Sequence, residues 1–386
     1  MHKLFEQVKT KLTNFLMLAI MKITTMMMKV MLITILTVQV LERKDLSKAG
    51  DLFSLDDSVI VDQLSAVIKA LQEISSKPEF LTCHNDQSLV EILVTRVISA
   101  VRETDTVGQH ARALVSLLES CLAHSLRPSD KGDPPHAKMA SDIMSYVLLN
   151  YNKKAVMQLA IPVAVKFLHK GNKELSRNMS SYMSLAAIEN AELLAVHLQP
   201  ILDSVISGNY SLSRVLPAIY AVDRKLIQQH VMTLVSILPN CADAESLALL
   251  SLFSLIAKDS PILLEPSIPQ LCEGLTQAAL APATIQVLRY IAFARPKCLV
   301  DNIAAIRTTA TTFPKSTVSA AQLLSVIGQS SIEKCREMLD FILEVLGGIE
   351  VEKQNIVLKE VANITHKYPS LLTSAVVSKI SGEFRH

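Results

Sequence analysis

Glycine is scarce in this sequence, with 10 of 386 residues, whereas about 7% is usual for a globular chain. Tight β-hairpins and phosphate-binding loops both rely on glycine, because it reaches positive φ without strain. Tryptophan is absent and aromatic residues make up 4% of the chain, although 50% of the residues are hydrophobic. The core must therefore consist mainly of aliphatic side chains, and such a chain is built more easily from helices than from sheets.

Charge of one sign is also missing, since 38 basic and 36 acidic residues leave a formal net charge of +2. A protein that binds nucleic acid usually carries a pronounced basic face, so we expect no nucleic acid partner. The sequence has no Walker loop and no G-x-S-x-G, H-E-x-x-H or G-x-G-x-x-G motif. We therefore expect a protein that is not an enzyme and that has no cofactor, catalytic residue or metal site.

The six cysteines are scattered along the chain, without a C-x-x-C pair or another spacing typical of metal ligands. Most of them lie in apolar helical runs, as Cys272 does after Leu271. This pattern predicts buried free thiols in a reducing compartment, and hence a cytoplasmic protein.

The N-terminal region differs in composition from the rest of the chain. Residues 15–41 are the most hydrophobic stretch, and seven of the 14 methionines lie in residues 1–31. A membrane span would need about 20 apolar residues with few charges, but Lys22 and Lys29 interrupt this stretch. A secretory signal would need a small-residue cleavage site, which is missing here. We favour an inserted segment outside the fold, at residues 8–39, with membrane contact as the alternative.

A helical pattern begins at about Ser58. Apolar residues then recur at spacings of three and four, which places them on one stripe of a helix: Ile60, Leu64, Val67, Ile68, Leu71 and Ile74. Pro78 ends this helix, because the residue before a proline is pushed out of the α region. One long polar loop follows at residues 125–136, and helical runs continue from there to the end of the chain.

Two series of apolar positions recur at matching intervals along the later helical runs. One series consists of adjacent pairs with steps of 33, 37 and 36 residues: Leu193/Leu194, Leu226/Ile227, Leu263/Leu264 and Leu299/Val300, with an earlier copy at Val156/Met157. The other has steps of 33, 37, 35 and 36 residues: Ile201, Leu234, Leu271, Ile306 and Ile342. A period of this length holds two helices and two short turns.

The turns fit the same repeat. Gly171 and Gly208 follow apolar helices and suit the left-handed position that ends a helix. A single helix pair cannot bury its apolar faces alone, so stacked neighbours must share one core. The tetratricopeptide signature is missing. We predict an all-α fold, an armadillo/HEAT-like right-handed α-solenoid of stacked helix pairs over residues 40–385, with the repeats clearest at 136–347.

One basic cluster accompanies the repeats. It comprises Lys153, Lys154, Lys166, His169, Lys170, Lys173 and Arg177, with Arg214 one repeat later. An ordinary solvated face is one interpretation. The other is a patch for an acidic or phosphorylated partner, and this predicts partner-binding residues at Lys166, Lys170, Lys173, Arg177 and Arg214.

Long stretches of the chain resemble a known family. The similar segments are MHKLF at 1–5, RKDLSKAGDLFSLDD at 43–57, PPHAKMASDIMS at 134–145, PVAVKFLHKGNKELSRNMSSYMSLAAIENAELL at 162–194, ISGNYSLSRVLPAIY at 206–220 and LLEPSIPQLCEGL at 263–275. They are similar to Melted and the ventricular zone-expressed PH domain-containing proteins. The family runs from its start, here residues 1–7, almost directly into the segment that begins at Val40, which also favours an insertion at 8–39.

The resemblance implies a signalling adaptor. Family members are expected to act in insulin/PI3-kinase and TOR signalling through FOXO and the tuberous sclerosis complex, and vertebrate relatives in TGF-β signalling. Recruitment to phosphoinositides at the plasma membrane would belong to their pleckstrin-homology (PH) domain, for which this sequence shows no β-strand pattern after the helices. A nuclear transport receptor, also an α-solenoid, is the alternative function.

Overall fold

The computed structural model describes residues 16–18, 20–21, 56–130 and 132–383. Within these ranges the regular structure is helical and no β-strand forms; one isolated bridge pairs Ser129 with Gly132. Most of the predicted insertion at 8–39, and its borders, lie outside the described residues. The domain boundaries therefore stay predictions.

The α-helices are, in chain order, α1 Asp57–Ile60, α2 Leu64–Ser75, α3 His84–Glu103, α4 Val107–Ser120, α5 Pro135–Leu149, α6 Lys154–Phe167, α7 Lys173–Ala195, α8 Leu198–Ile206, α9 Leu216–Tyr220, α10 Lys225–Gln229, α11 Val231–Ser236, α12 Asp243–Asp259, α13 Ile268–Glu273, α14 Ala281–Ala294, α15 Ile303–Thr312, α16 Thr317–Gly328, α17 Ile332–Val345, α18 Val351–Lys367 and α19 Ser374–Glu383. Short 3₁₀ turns join many of them: Val61–Gln63, Pro78–Leu81, Cys121–Ala123, Tyr210–Val215, Leu238–Asn240, Pro261–Leu263, Glu265–Ser267, Gly274–Thr276, Pro296–Asn302, Pro314–Ser316, Leu346–Gly348 and Pro369–Leu371.

The chain forms two compact units, residues 1–193 and residues 194–386. In the first unit, α2, α4 and α6 contact one another in series and form one layer of helices. Helices α3 and α5 pack side by side in a second layer, α3 against α2 and α5 against α4. Each helix of one layer is thus paired with its neighbour along the chain.

The second unit repeats this arrangement. Helices α9, α12, α14, α16 and α18 contact one another in series as a first layer. The second layer contains α8, α10, α11, α13, α15 and α17, and α13, α15 and α17 each pack against a first-layer helix. Stacking of helix pairs in both units confirms the predicted all-α, armadillo/HEAT-like fold class.

The two series of apolar positions form the buried seam of the second unit. All five positions of the single series, from Ile201 to Ile342, are at most 1% exposed. In the four pairs from Leu193/Leu194 to Leu299/Val300 only one member is fully buried, and in the last of them it is Leu299 rather than Val300. The buried members Leu194, Ile227, Leu264 and Leu299 are therefore separated by 33, 37 and 35 residues. These are the same steps as in the single series, and a further step of 36 residues leads to the buried Cys335.

A constant spacing relates the two series. In each repeat the buried members of the two series are seven residues apart in the sequence. The pairs are Leu194 with Ile201, Ile227 with Leu234, Leu264 with Leu271, Leu299 with Ile306, and Cys335 with Ile342. Buried, mainly aliphatic positions thus recur at a fixed spacing from repeat to repeat.

We expect Leu271→Ala to destabilise the chain by about 2–5 kcal/mol, because a fully buried Leu leaves a cavity when it is truncated. The matched control Ile262→Ala alters a side chain that is 58% exposed in the same unit, and it should change stability by less than about 1 kcal/mol. Urea unfolding followed by circular dichroism measures both. Equal effects of the two substitutions would contradict the buried seam.

Candidate partner-binding site

Four of the five predicted partner-binding residues flank the turn between α6 and α7 in the first unit. Lys166 lies in the last turn of α6, and Lys170 lies in the connecting turn. Lys173 is the first residue of α7, and Arg177 follows one helical turn later. All four side chains are exposed, so the helix hairpin places four cations along one short segment of surface.

Gly171 sets the backbone geometry of this turn. Gly171 has φ of +77°, and a Cβ there would lie 2.9 Å from the Nε atom of Arg127. The left-handed glycine predicted at this helix end is confirmed, and Gly208, with φ of +108°, occupies the corresponding place after α8. The backbone can therefore reverse here while Arg127 packs directly against it.

Asn172 precedes α7 and ties its start to the long polar loop. Its side-chain oxygen accepts a hydrogen bond from the backbone N–H of Leu175 at 2.9 Å, which caps the helix. Its amide nitrogen donates to the carbonyl of Leu126 at 3.0 Å and to the carboxylate of Asp133 at 2.9 Å. Because Asn172 is only 2% exposed, these three bonds form away from water and hold the loop in place.

The far end of the same loop is anchored by histidines. The buried His136 ring donates through Nε2 to the carbonyl of Ser75 at 2.9 Å. It stacks on His124 with a centroid distance of 3.8 Å and meets the edge of Phe80 at 5.2 Å. Burial lowers the pKa of His136, and the neighbouring His124 acts in the same direction, whereas the hydrogen bond to Ser75 opposes them.

Two of the four cations bind the preceding helix pair. Lys166 forms a 2.6 Å ion pair with Glu119 in the last turn of α4. The Lys170 ammonium donates to the carbonyl of Leu122, at 3.4 Å, in the 3₁₀ turn that follows α4. These contacts join neighbouring repeats, so Lys166 and Lys170 have a structural use that does not require a partner protein.

Lys173 and Arg177 have no ion pair or side-chain hydrogen bond within the part of the chain that the structure describes. Their positions do not favour helix stability either. A cation at the first residue of a helix opposes the helix dipole, and two cations four residues apart repel each other, although Glu174 offsets part of this charge. Of the predicted cluster, these two side chains are the ones exposed to receive an anionic group.

The remaining basic residues are distributed elsewhere. Lys153 pairs with Asp105, and Lys154 lies 3.6 Å from Glu192. Arg214, the fifth predicted residue, belongs to the second unit, where it forms a 3.3 Å ion pair with Glu245. A role of Arg214 in binding a partner stays a prediction.

The first unit also contains a groove that was not predicted from the sequence. It has a volume of about 470 Å³, lies between α3 and α5, and is walled at one end by the polar loop. Its lining includes His84, Lys138 and three carboxylates, Glu91, Asp133 and Asp142. Desolvation, followed by the charge of Glu91, raises the pKa of Asp142. Its walls come from residues about 50 positions apart, so no local motif marks it in the sequence.

The cysteines are free thiols, and two of the six, Cys121 and Cys335, are fully buried while the others are partly exposed. Burial raises the pKa of Cys121 to about 12, and raises that of Cys272 to about 11. Such thiols stay protonated at neutral pH and are poor nucleophiles. Among the described residues, no three His, Cys, Asp or Glu side chains gather in a way that could hold a metal ion.

Hydropathy gives one further result. None of the helices in the described ranges combines the length and the apolar character that crossing a bilayer requires.

The chain is similar to several characterised proteins, although no protein-family model matches it. It is 42% identical over 342 residues to protein melted of Drosophila melanogaster, covering 88% of this chain and 34% of that protein. It is also 42% identical over 335 residues to ventricular zone-expressed PH domain-containing protein 1 of Mus musculus and to its homolog in Homo sapiens, covering 86% of this chain and 40% of each. The chain thus spans between a third and two fifths of the length of these relatives.

Solved structures with a similar arrangement of helices include nuclear transport proteins. One is the karyopherin Kap121p bound to the extreme C-terminus of the protein phosphatase Cdc14p, with a TM-score of 0.46 and 13% identity over 84% of this chain and 38% of that one. Another is importin beta, with a TM-score of 0.44 and 15% identity over 87% of this chain and 47% of that one.

Replacing Asn172 should loosen the polar loop. We expect Asn172→Ala to cost about 1–3 kcal/mol, because the helix loses its cap and the Leu126 carbonyl loses a buried donor. Hydrogen exchange at residues 126–134 should speed up in the variant. Asn178→Ala, which alters an exposed Asn on α7, is the control and should leave exchange unchanged. Unchanged exchange in Asn172→Ala would contradict the anchoring role.

Acid should destabilise the chain through His136. Because the folded-state pKa is lowered, the unfolded chain binds a proton first, and stability falls as the pH drops below the ordinary value of about 6.5. Protonation would also add an N–H at Nδ1, which is buried and has no acceptor.

We expect urea unfolding at about pH 7.5 and about pH 5.5 to show this loss. The difference should be smaller in His136→Gln, which can still donate to Ser75. His110 and His197, whose pKa values burial also lowers, remain in the variant and account for the rest. The same pH dependence in both proteins would rule out His136 as a contributor.

Proposed function

Because the chain belongs to the family of Melted and the ventricular zone-expressed PH domain-containing proteins, we propose that it is a non-catalytic signalling adaptor that binds partner proteins on its stacked helices. The stacked layers support this role, since arrays of helix pairs offer extended surfaces for several partners. The whole-length relatives are more than twice as long as this chain, so their activities are attributed to it only within this proposal.

The observation that carries the proposal is the pair of exposed cations at the start of α7. Lys173 and Arg177 have no ion pair in the described part of the chain, and they oppose the dipole of their own helix. An anionic side chain or a phosphoryl group of a partner could bind both at once, because residues four apart on a helix lie on the same face. Lys166 and Lys170 would extend the positive field around this pair.

The partners we propose are those of insulin/PI3-kinase and TOR signalling. They are FOXO and the tuberous sclerosis complex, with TGF-β signalling as the corresponding setting for vertebrate relatives. Recruitment to phosphoinositides would require the PH domain that two of the relatives carry in their names. We accordingly propose a cytoplasmic protein that reaches the plasma membrane peripherally as part of a full-length protein.

The absence of catalysis is part of the proposal, and two observations support it. Thiols such as Cys121 have a raised pKa, which makes them poor nucleophiles. The lining of the α3–α5 groove contains three carboxylates and a histidine, but neither a cysteine nor a threonine that could act as a nucleophile.

The double substitution Lys173→Glu with Arg177→Glu should weaken binding of a FOXO or tuberous sclerosis complex partner at least about tenfold, because two attractions become repulsions. Co-purification with the purified 386-residue chain, followed by titration of the retained partner, measures the change. The matched control is Lys315→Glu with Lys359→Glu, which reverses two exposed charges in the second unit.

Three results decide the proposal. Selective loss in the α7 variant supports both the adaptor function and the position of its site. Binding that stays within about twofold of the original chain would remove Lys173 and Arg177 from the interface. The original chain could instead bind neither partner but bind Ran, the GTPase that nuclear transport receptors bind. In that case the proposed signalling function is wrong and a transport function replaces it.

A further inference from the structure

A second surface of the molecule carries cations and aromatic rings together. Helix α14 of the second unit has a partly exposed face formed by Arg289, Tyr290 and Phe293, and Phe293 lies four and three residues after the other two. The opposite face of α14 is buried against its neighbours. Phe293 is 59% exposed, and it is the one phenylalanine among the strongly exposed hydrophobic residues of the described chain. In a protein with 4% aromatic residues, leaving this ring in water calls for a reason.

Both rings of this face are paired with cations. The guanidinium of Arg289 lies 5.7 Å from the ring centre of Phe293, and the ammonium of Lys258, on α12, lies 4.6 Å from that of Tyr290. A hydrogen bond from Lys258 is the largest influence lowering the pKa of Tyr290. These contacts restrict the side chains before any ligand arrives, which reduces the entropy lost on binding.

The positive charge of this face is not neutralised within the described residues. Four other arginines of the second unit pair with carboxylates: Arg214 with Glu245, Arg224 with Asp259, Arg295 with Glu265, and Arg307 with Glu337. Arg289 instead donates to the neutral amide oxygen of Gln322, on α16, at 2.6 Å. Lys258 forms no ion pair with a described residue. Neither α14 nor α16 contains an acidic residue.

These contacts also leave donors for a ligand. A guanidinium has five N–H bonds, and the bond to Gln322 uses one of them. A carboxylate that approaches Arg289 can therefore accept a further hydrogen bond while the residue beside it covers Phe293. Arginine and aromatic side chains side by side are the composition typical of binding hot spots.

We propose that the α14 stripe, formed by Lys258, Arg289, Tyr290 and Phe293, is a docking site for a short acidic segment of a partner protein. The segment would place Asp or Glu against Arg289 and Lys258, and an adjacent aromatic or large aliphatic side chain against Phe293. The charge of the stripe selects an acidic ligand, and its exposed ring selects an apolar neighbour. This site lies in the second unit and does not depend on Lys173 or Arg177.

A random peptide library displayed on phage tests the site with the full 386-residue chain as the target. We expect enriched peptides to carry Asp or Glu next to Phe, Trp, Leu or Met. The affinity of one such peptide is then measured by fluorescence anisotropy. It should be at least about tenfold lower for the single variant Phe293→Ser, and also for the double variant that combines Lys258→Gln and Phe293→Ser. Arg289→Lys should retain more affinity than Arg289→Gln, because it keeps the charge. Replacing the acidic residues of the peptide by amides should weaken it similarly.

The controls separate this site from other surfaces. Arg336→Gln with Val351→Ser removes an exposed charge and an exposed apolar residue of the same unit, and binding should stay within about twofold. Lys173→Glu with Arg177→Glu should also leave peptide binding unchanged, so that failure of the α7 site and failure of this one are distinguishable. Thermal unfolding shows that each variant is folded.

Three outcomes would overturn the proposal. A selection that enriches no acidic and apolar combination excludes this ligand class. Peptides that bind Phe293→Ser and Arg289→Gln as tightly as the original chain use another surface. Self-association of the chain in light scattering that Phe293→Ser abolishes would assign the stripe to a second copy of this chain instead.

Discussion

Burial of aliphatic side chains between neighbouring repeats is the constraint on which this structure depends. No helix pair can keep its apolar stripe dry alone, so each pair requires the next. In the second unit, Ile201, Leu234, Leu271 and Ile306 show this directly, since all are at most 1% exposed and come from successive repeats. With few aromatic side chains, the interior is formed by many small contributions of this kind.

Polar contacts also join neighbouring helix pairs, and they determine which surface charges stay unpaired. Lys166 pairs with Glu119, 47 positions away, and Arg307 pairs with Glu337, 30 positions away. Exposed ion pairs of this kind add little stability, about 0–1 kcal/mol each, but they neutralise the charges they use. Cations left out of such pairs, such as Lys173 and Arg289, are the ones that we propose for acidic partners.

Much of the fold could be predicted from the sequence because the helical repeat is local and periodic. The buried positions from Ile201 to Ile342 are predicted by their spacing alone. Gly171 is predicted to end a helix because few other residues adopt a positive φ there. The contacts of the candidate site could not be predicted in the same way. Lys166 and Arg214 each have a carboxylate partner more than 30 positions away, and no local pattern indicates such a pair. Asn172 seemed part of a turn, and its role in holding the polar loop emerged only with Leu126 and Asp133 beside it.

The helical class, the length of the repeat and the five single positions of the buried seam can be derived from the sequence alone, since apolar periodicity depends on residues only a few positions apart. The packing of the helices is needed to show which cations are neutralised, where the α3–α5 groove opens and how Arg289 and Phe293 come to lie beside Lys258. These features depend on distances between residues from different repeats. Such distances are set by how the helices pack, which no local pattern encodes.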